Sequence, residues 1–417
     1  MDGRCLGISA RSTPYLTPPL VFMPLVSQCA ALRVYPPCPP CAIKPPTPTH
    51  GPVHTPPALS IPELIEEEHL LEEMFRHVNS LDAEYALDTP ESTVLPPHFI
   101  HDIIQLGESY YRAVKLSLPP VTNEIGPLGL PVPVDRNPED HIGEFFEMIW
   151  MTLIQSFISE RWRTHPLRRR LVKDLLAGFQ QVQPSQNNIL NWKTLPWLGS
   201  AARYMYHDFT DFFESETENS EMPVEKQNVL AGGDPPAPAG DDFVGLVERR
   251  KSALALHEFY TILWKDCGRE EYAMYSIWAL REGLENWPTI PLSLNSKPAL
   301  YSEWPAYRAI HVEIASVWIC AVGDLMYKET GVWGLKGNPN WWEGSAPGAG
   351  GTRWRGIDGY DAQHERWGLW KSVFQEVTEW HDAEQSRGNI VGWKFGDAAR
   401  KALSHMAHVE GTFVSQV

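Results

Sequence analysis

Tyr272-Ala-Met-Tyr-Ser-Ile-Trp-Ala-Leu-Arg-Glu-Gly-Leu-Glu285 decides how this chain folds. Tyr275, Trp278 and Leu284, with Ile277 beside them, recur at helical spacing and predict an amphipathic helix. Arg281 and Glu285 stand four residues apart, the spacing of an ion pair on one helix face. Upstream, Leu254, Leu256, Phe259, Ile262 and Leu263 predict a buried helix over Leu246–Cys267. Gly268 follows where a helix C-terminus calls for a left-handed residue. The two helices are expected to fold back as a hairpin. That places Trp278 in the core, between Leu246–Cys267 and a further helix over Glu303–Lys328. Earlier still, Trp192-Lys-Thr-Leu-Pro-Trp-Leu-Gly199 reads as an aromatic lead-in to a helix. Pro196 is placed early in that helix, where its missing N–H would be unpaired anyway.

The same periodicity extends in both directions. Helices are predicted over His98–Leu116, Asp140–Arg163, Pro166–Phe179 and near Ala201–Phe213. Glu303–Lys328 is apolar on most sides, so it should be buried nearly all round. Trp367, Trp370, Phe374, Val377 and Trp380 step at threes and fours, and Trp393–Phe413 closes the chain. No sustained period-two alternation and no hairpin dipeptide between β-branched runs interrupts this pattern. The expected fold is all-α: a single large multi-helix domain over residues 62–413.

Two composition shifts flank that reading. Fourteen of the 37 prolines lie in residues 1–60, where Asp2 is the one acidic residue. Proline removes backbone donors and fixes φ, so residues 1–61 are expected to be a disordered Pro-rich tail. A second helix-forming pattern starts at Pro62. Residues 208–242 carry ten acidic side chains against one lysine, and a disordered acidic insertion is expected near 214–242.

The formal net charge of −17 argues against a nucleic-acid partner. The basic run with Arg163 and Arg168-Arg-Arg170 reads as the solvated side of one helix. No run of about 18 apolar residues predicts a membrane span. Cys5, Cys29, Cys38 and Cys41 crowd the proline-rich segment, and Cys267 and Cys320 fall in helical patterns. That is no secreted disulfide framework, so an intracellular protein of the cytoplasm or nucleus is expected.

Several phrases together resemble a fungal family of helical proteins of unassigned function. They are Trp192-x-x-Leu195-Pro196 with Gly199 and Arg203, and Trp278-Ala-Leu-Arg281-Glu-x-Leu284-Glu285. Ala315-x-x-Trp318 and Arg366-Trp367-x-x-Trp370-Lys371 follow in order. The resemblance covers residues 192–409, implies a fungal, intracellular helical protein, and carries over no catalytic residue and no cofactor.

Candidate chemistry is sparse. His364, His381-Asp382 and Asp397 follow the order of some metal phosphohydrolases, but a whole Trp-striped helix separates the two histidines. His381-Asp382 reads better as an exposed helix end. Glu66-x-x-His69 lacks a second half-site, His257-Glu258 lacks the second histidine of a zinc-protease helix, and Cys38-Pro-Pro-Cys41 has no partner pair. The Gly331–Tyr360 loop, with Trp333, Trp341, Trp342 and Trp354, offers either an aromatic platform or a loop pinned to the core by its own tryptophans. Pinning is the better reading. Trp192, Pro196, Arg203, Arg281, Glu285, Arg366 and Trp367 are the residues nominated as a ligand or structural motif. The expected function is a scaffold or interaction module with a protein partner. The alternative is a small-molecule pocket where Arg203, Arg281 and Arg366 converge.

Overall fold

The computed structural model describes residues 97–117, 138–165, 168–183, 190–218, 223–237, 240–289, 294, 304–342 and 346–414. The tail expected over residues 1–61 lies outside them. The described residues all fall within one compact unit, His54–Val417. They are helical, with no strand among them and one isolated antiparallel bridge, Val332 with Gly359.

Chain order gives α1 (Pro97–Ser117), α2 (Pro138–Ile158), the short α3 (Glu160–Arg163) and α4 (Arg168–Gln181). After a 3-10 turn at Trp192–Thr194 come α5 (Leu198–Glu218), α6 (Val224–Leu230) and α7 (Asp241–Lys265). Then follow α8 (Ala273–Leu280) with a π turn at Arg281–Glu285, α9 (Pro305–Met326), α10 (Glu365–Ser386) and α11 (Phe395–Val414). The all-α expectation holds, and helix bounds fall within a few residues of the periodicity reading.

α9 is the axle, packing against α11, α7, α8, α6 and the π turn. Its apolar residues on every side explain this: Ile310, Val312, Ala315, Trp318, Ile319 and Val322 are all inaccessible to solvent. It is also the one described helix long and apolar enough to cross a membrane, yet 72% of its apolar window is buried inside the protein. At Val322 the backbone leaves helical geometry (φ −136°), and Lys265 Nζ donates to the neighbouring Ala321 carbonyl at 2.9 Å. The break is thus capped from α7.

The hairpin turn forms at Gly268, whose φ of +66° is left-handed as its position demanded. Trp278 does not lie between α7 and α9. It is half-buried, tilted on Tyr206 and Tyr275, and its indole N–H donates to the Pro347 carbonyl at 2.8 Å. Trp318 occupies the place expected of it: fully buried, it donates from Nε1 to His257 Nδ1 of α7 at 3.0 Å.

Two further expectations are corrected. Pro196 precedes its helix, which begins at Leu198; the lead-in turns instead through left-handed Leu195 (φ +50°) and Trp197 (φ +63°). Such a backbone is costly for residues with side chains and persists only where packing enforces it. Here Leu195 is buried, and the Pro196 carbonyl accepts the Trp150 indole N–H at 2.6 Å. The acidic stretch near 214–242 is not a loose loop throughout. α6 lies within it, with Val229, Leu230 and Ala231 buried, and Arg250 Nε donates to the Leu230 carbonyl at 2.9 Å. Arg250 in turn pairs with buried Glu313 of α9, tying α6, α7 and α9 together.

Candidate functional site

The π turn is where the nominated motif takes shape. Asn286 N–H bonds back five residues to the Arg281 carbonyl at 2.9 Å, so this turn is wider than an α-turn. Residues four apart no longer share a face. The Arg281–Glu285 pair is therefore not formed: Arg281 Nε bonds Glu282 at 3.2 Å, and Glu285 turns inward, fully buried. Gly283 makes this possible, because a Cβ there would run into the His311 carbonyl of α9.

Inside, Glu285 meets Arg366, which is 1% exposed rather than solvated. Arg366 Nε donates to Glu285 Oε1 at 2.7 Å and Nη2 to Oε2 at 3.1 Å, a bidentate fork. The Trp370 indole N–H reaches Oε1 at 2.8 Å and the Gly351 amide reaches Oε2 at 2.7 Å. The remaining guanidinium nitrogen, Nη1, donates to the carbonyls of Gly348 (3.1 Å) and Gly359 (2.7 Å). Trp354 and Trp370 flank the cation, with Arg366 Cζ 5.5 and 5.7 Å from their ring centres. A buried pair survives only when its spare donors and acceptors are also used, and here every guanidinium nitrogen is engaged.

The loop from Gly331 to Tyr360 is fastened by this pair. Its carbonyls at Gly348 and Gly359 and its amide at Gly351 bind the two charges. Arg353 N–H donates to the Glu285 carbonyl at 2.9 Å, and the Arg353 side chain forks onto Glu376 of α10 at 2.8 and 2.9 Å. Rungs from Trp333 N to Asp358 O (2.7 Å) and Tyr360 N to Gly331 O (2.9 Å) close its base. Trp354 and Trp333 serve the pinning role: Trp354 Nε1 bonds Ile357 O at 2.8 Å, and Trp333 packs edge-on to buried Tyr360. Leu335 (43%) and Trp342 (60%) remain exposed on this fixed loop.

The nominated residues do not form one pocket. Glu285, Arg366 and Arg281 meet at the loop, where Arg281 Nη1 makes a long 3.4 Å contact with Ala349 O. Trp367 turns toward α11 and donates to Glu410 at 3.0 Å. Trp192 belongs to another cluster, edge-on to Phe146 and stacked on Phe179, with Pro196 nearby through Trp150. Arg203 is half-buried on α5 and joins neither set of hydrogen bonds. Arg281 and Arg366 are thus both engaged at the loop, and Arg203 shares no hydrogen bond with either.

No group of three or more His, Cys, Asp or Glu is arranged to hold a metal among the described residues. His364 starts α10 with a left-handed backbone and stacks on Tyr327, while His381 is buried near its other end, with Nε2 3.3 Å from Trp393 O. That corrects the exposed-end reading of His381, although Asp382 is exposed and bonds Arg400 at 2.8 Å. The basic run is also not a free solvated face. Arg163 pairs with Glu248 and Arg168 with Glu258 on α7, and Arg169 with Asp266 at its C-cap; Arg168 is buried.

The model of DUF3632, described as a protein of unknown function, matches residues 150–374. The chain belongs to the DUF3632 family. The DUF3632 match begins inside α2 and ends inside α10, so it takes in Glu285, Arg366, Trp370 and the whole pinned loop. α11 lies beyond it. Comparison with curated proteins and with solved structures gave no match.

Sequence reasoning missed the partners rather than the participants. The tryptophan stripe of α10 implies that Trp370 packs inward, and does not imply that its indole N–H donates to Glu285. His257 and His311 were not singled out as a pair, although both are buried and both are pushed down to a pKa of about 3, chiefly by burial. A histidine within an otherwise apolar helix such as α9 was the available signal.

Proposed function

We propose that this DUF3632 protein is an intracellular helical scaffold that presents the Gly331–Tyr360 loop to a protein partner. The observation that carries the reading is that the described parts of the loop, 331–342 and 346–360, are hydrogen-bonded to the helical body and to each other while Leu335 and Trp342 are exposed. Long loops without secondary structure are uncommon in compact domains and tend to be functional. A pre-formed loop also binds without the ordering cost that a mobile one carries. Exposed tryptophan is the residue type most enriched at the energetic centres of interfaces. The half-buried free thiols Cys267 and Cys320 suit the reducing cytoplasm or nucleus.

The test is photo-crosslinking in the source cells with benzoylphenylalanine in place of Trp342. A control carries it in place of Val244, an exposed residue of α7. A discrete protein adduct from position 342 and none from 244 is expected. Equal adduct patterns at both positions, or none at 342, would sink the scaffold reading. The alternative pocket at Arg203, Arg281 and Arg366 is weakened because Arg281 and Arg366 already bond the loop and Glu285, and Arg203 shares no hydrogen bond with them.

A further inference from the structure

A cleft of about 370 Å³ opens where α4, α7, α9 and α11 meet, and no residue of the pinned loop lines it. That volume is within the range of small-molecule sites. Its walls carry Arg168, Arg169 and Lys401 against a single carboxylate, Glu258, in a chain whose net charge is −17. Val317, Ala321 and Ile262 supply an apolar side.

The arrangement of charge is unusual for a helix start. α4 has no acid in its first turn and instead places Arg168, Arg169 and Arg170 there. The N-terminal end of a helix is already partially positive, so three cations at that end disfavour one another and the dipole. Carboxylates relieve part of this. Glu258 accepts Arg168 Nη1 at 2.8 Å, Asp266 accepts Arg169 Nε, and Asp174 stands 3.4 Å from Arg170. Arg168 is spent structurally, since Nη2 also holds the Ala255 carbonyl at 2.6 Å. Arg169 is half-exposed, lines the cleft and pairs with Asp266 through Nε. Exposed Lys401 lines the same cleft and has no ion-pair partner among the described residues.

We propose that this cleft binds a small dianion bearing carboxylate or phosphate oxygens, held between Arg169 and Lys401 with its apolar part on Val317 and Ala321. This inference is independent of the scaffold reading: either can fail without the other.

The test uses the full chain at constant ionic strength, with chloride as the balancing ion. Inorganic phosphate and succinate are titrated separately, reading Tm and heat of binding. A saturating rise in Tm with one of them is expected, and which one identifies the oxygen source. Lys401→Glu should raise the midpoint concentration about tenfold or more, the loss of a charge-assisted contact. Lys336→Glu, on an exposed loop residue far along the chain, should leave it unchanged. Absence of saturation with both anions would overturn the proposal, as would a response that Lys401→Glu leaves intact. Should Lys401→Glu fold poorly, Lys401→Gln gives the same reading with the charge only removed.

Discussion

Glu285 and Arg366 lie 81 residues apart in the chain and meet as a fully buried, bidentate ion pair, 2.7 Å at the closer contact. One carboxylate from a π turn and one guanidinium from the start of α10 thereby hold a loop that has no secondary structure of its own. The pair acts by position: it is buried under the loop, and the loop's own carbonyls and amides complete its hydrogen bonding.

Removing one partner should be costly. Arg366→Met leaves Glu285 buried and unpaired, with an expected loss of ~3–5 kcal/mol in denaturant unfolding. Arg366→Lys should recover little, because an ammonium cannot reproduce the fork that spans both carboxylate oxygens and two carbonyls. A loss below about 1 kcal/mol for Arg366→Met would mean water reaches the site.

The π turn makes its own prediction. Gly283→Ala sets a methyl group against the His311 carbonyl and 3.1 Å from Ala315 Cβ, forcing α8 away from α9. A destabilisation of about 1–3 kcal/mol is expected. An unchanged denaturation midpoint would show that the two backbones do not approach so closely.

These two sites show what was legible in the sequence. Helix periodicity survives packing, so α1, α2, α7, α9, α10 and α11 were readable from apolar spacing. The spacing of Arg281 and Glu285 points to the wrong partner for Glu285, since four residues imply a shared face only while the turn stays at 3.6 residues. Nothing local announces a π turn. The burial of Arg366 and Arg168 is not legible locally, because it depends on distant carbonyls and carboxylates: Gly348 and Gly359 for one, Ala255 and Glu258 for the other. The left-handed Leu195 and Trp197 break local preference outright; Leu195 is buried, whereas Trp197 is 45% exposed.

Acid should weaken the fold. His257 and His311 titrate near a pKa of about 3 when folded, burial being the main cause, with neighbouring His311 and Arg308 adding to it respectively. In the unfolded chain each returns to about 6.5. The unfolded state therefore binds more protons between those values, so stability is full above pH ~6.5 and falls as pH drops, by up to ~1.4 kcal/mol per unit for each histidine. Glu313, whose carboxyl burial pushes upward, works in the opposite direction. The clean reading is thus comparative: His311→Gln should flatten the slope of unfolding free energy between pH 7 and 5. Parallel slopes for variant and wild type would rule out this source of acid sensitivity.

The outward residues should matter little for folding. Leu335→Ser and Trp342→Ser remove exposed apolar surface only, and each should change stability by less than about 0.5 kcal/mol. A larger loss, measured by urea unfolding, would place these side chains in the core and remove them from the proposed partner surface.

Amide hydrogen exchange tests the central claim most directly, because it reads the loop residue by residue. In the wild type, the amides of Gly348, Gly351, Arg353 and Tyr360, each bonded within 2.9 Å, should exchange slowly. In Arg366→Met their protection should fall sharply while α9 amides around Ile314 and Trp318 remain protected. Rapid exchange of those four amides in the wild type, or unchanged protection in the variant, would contradict the account of Glu285 and Arg366 as the fastening of the loop.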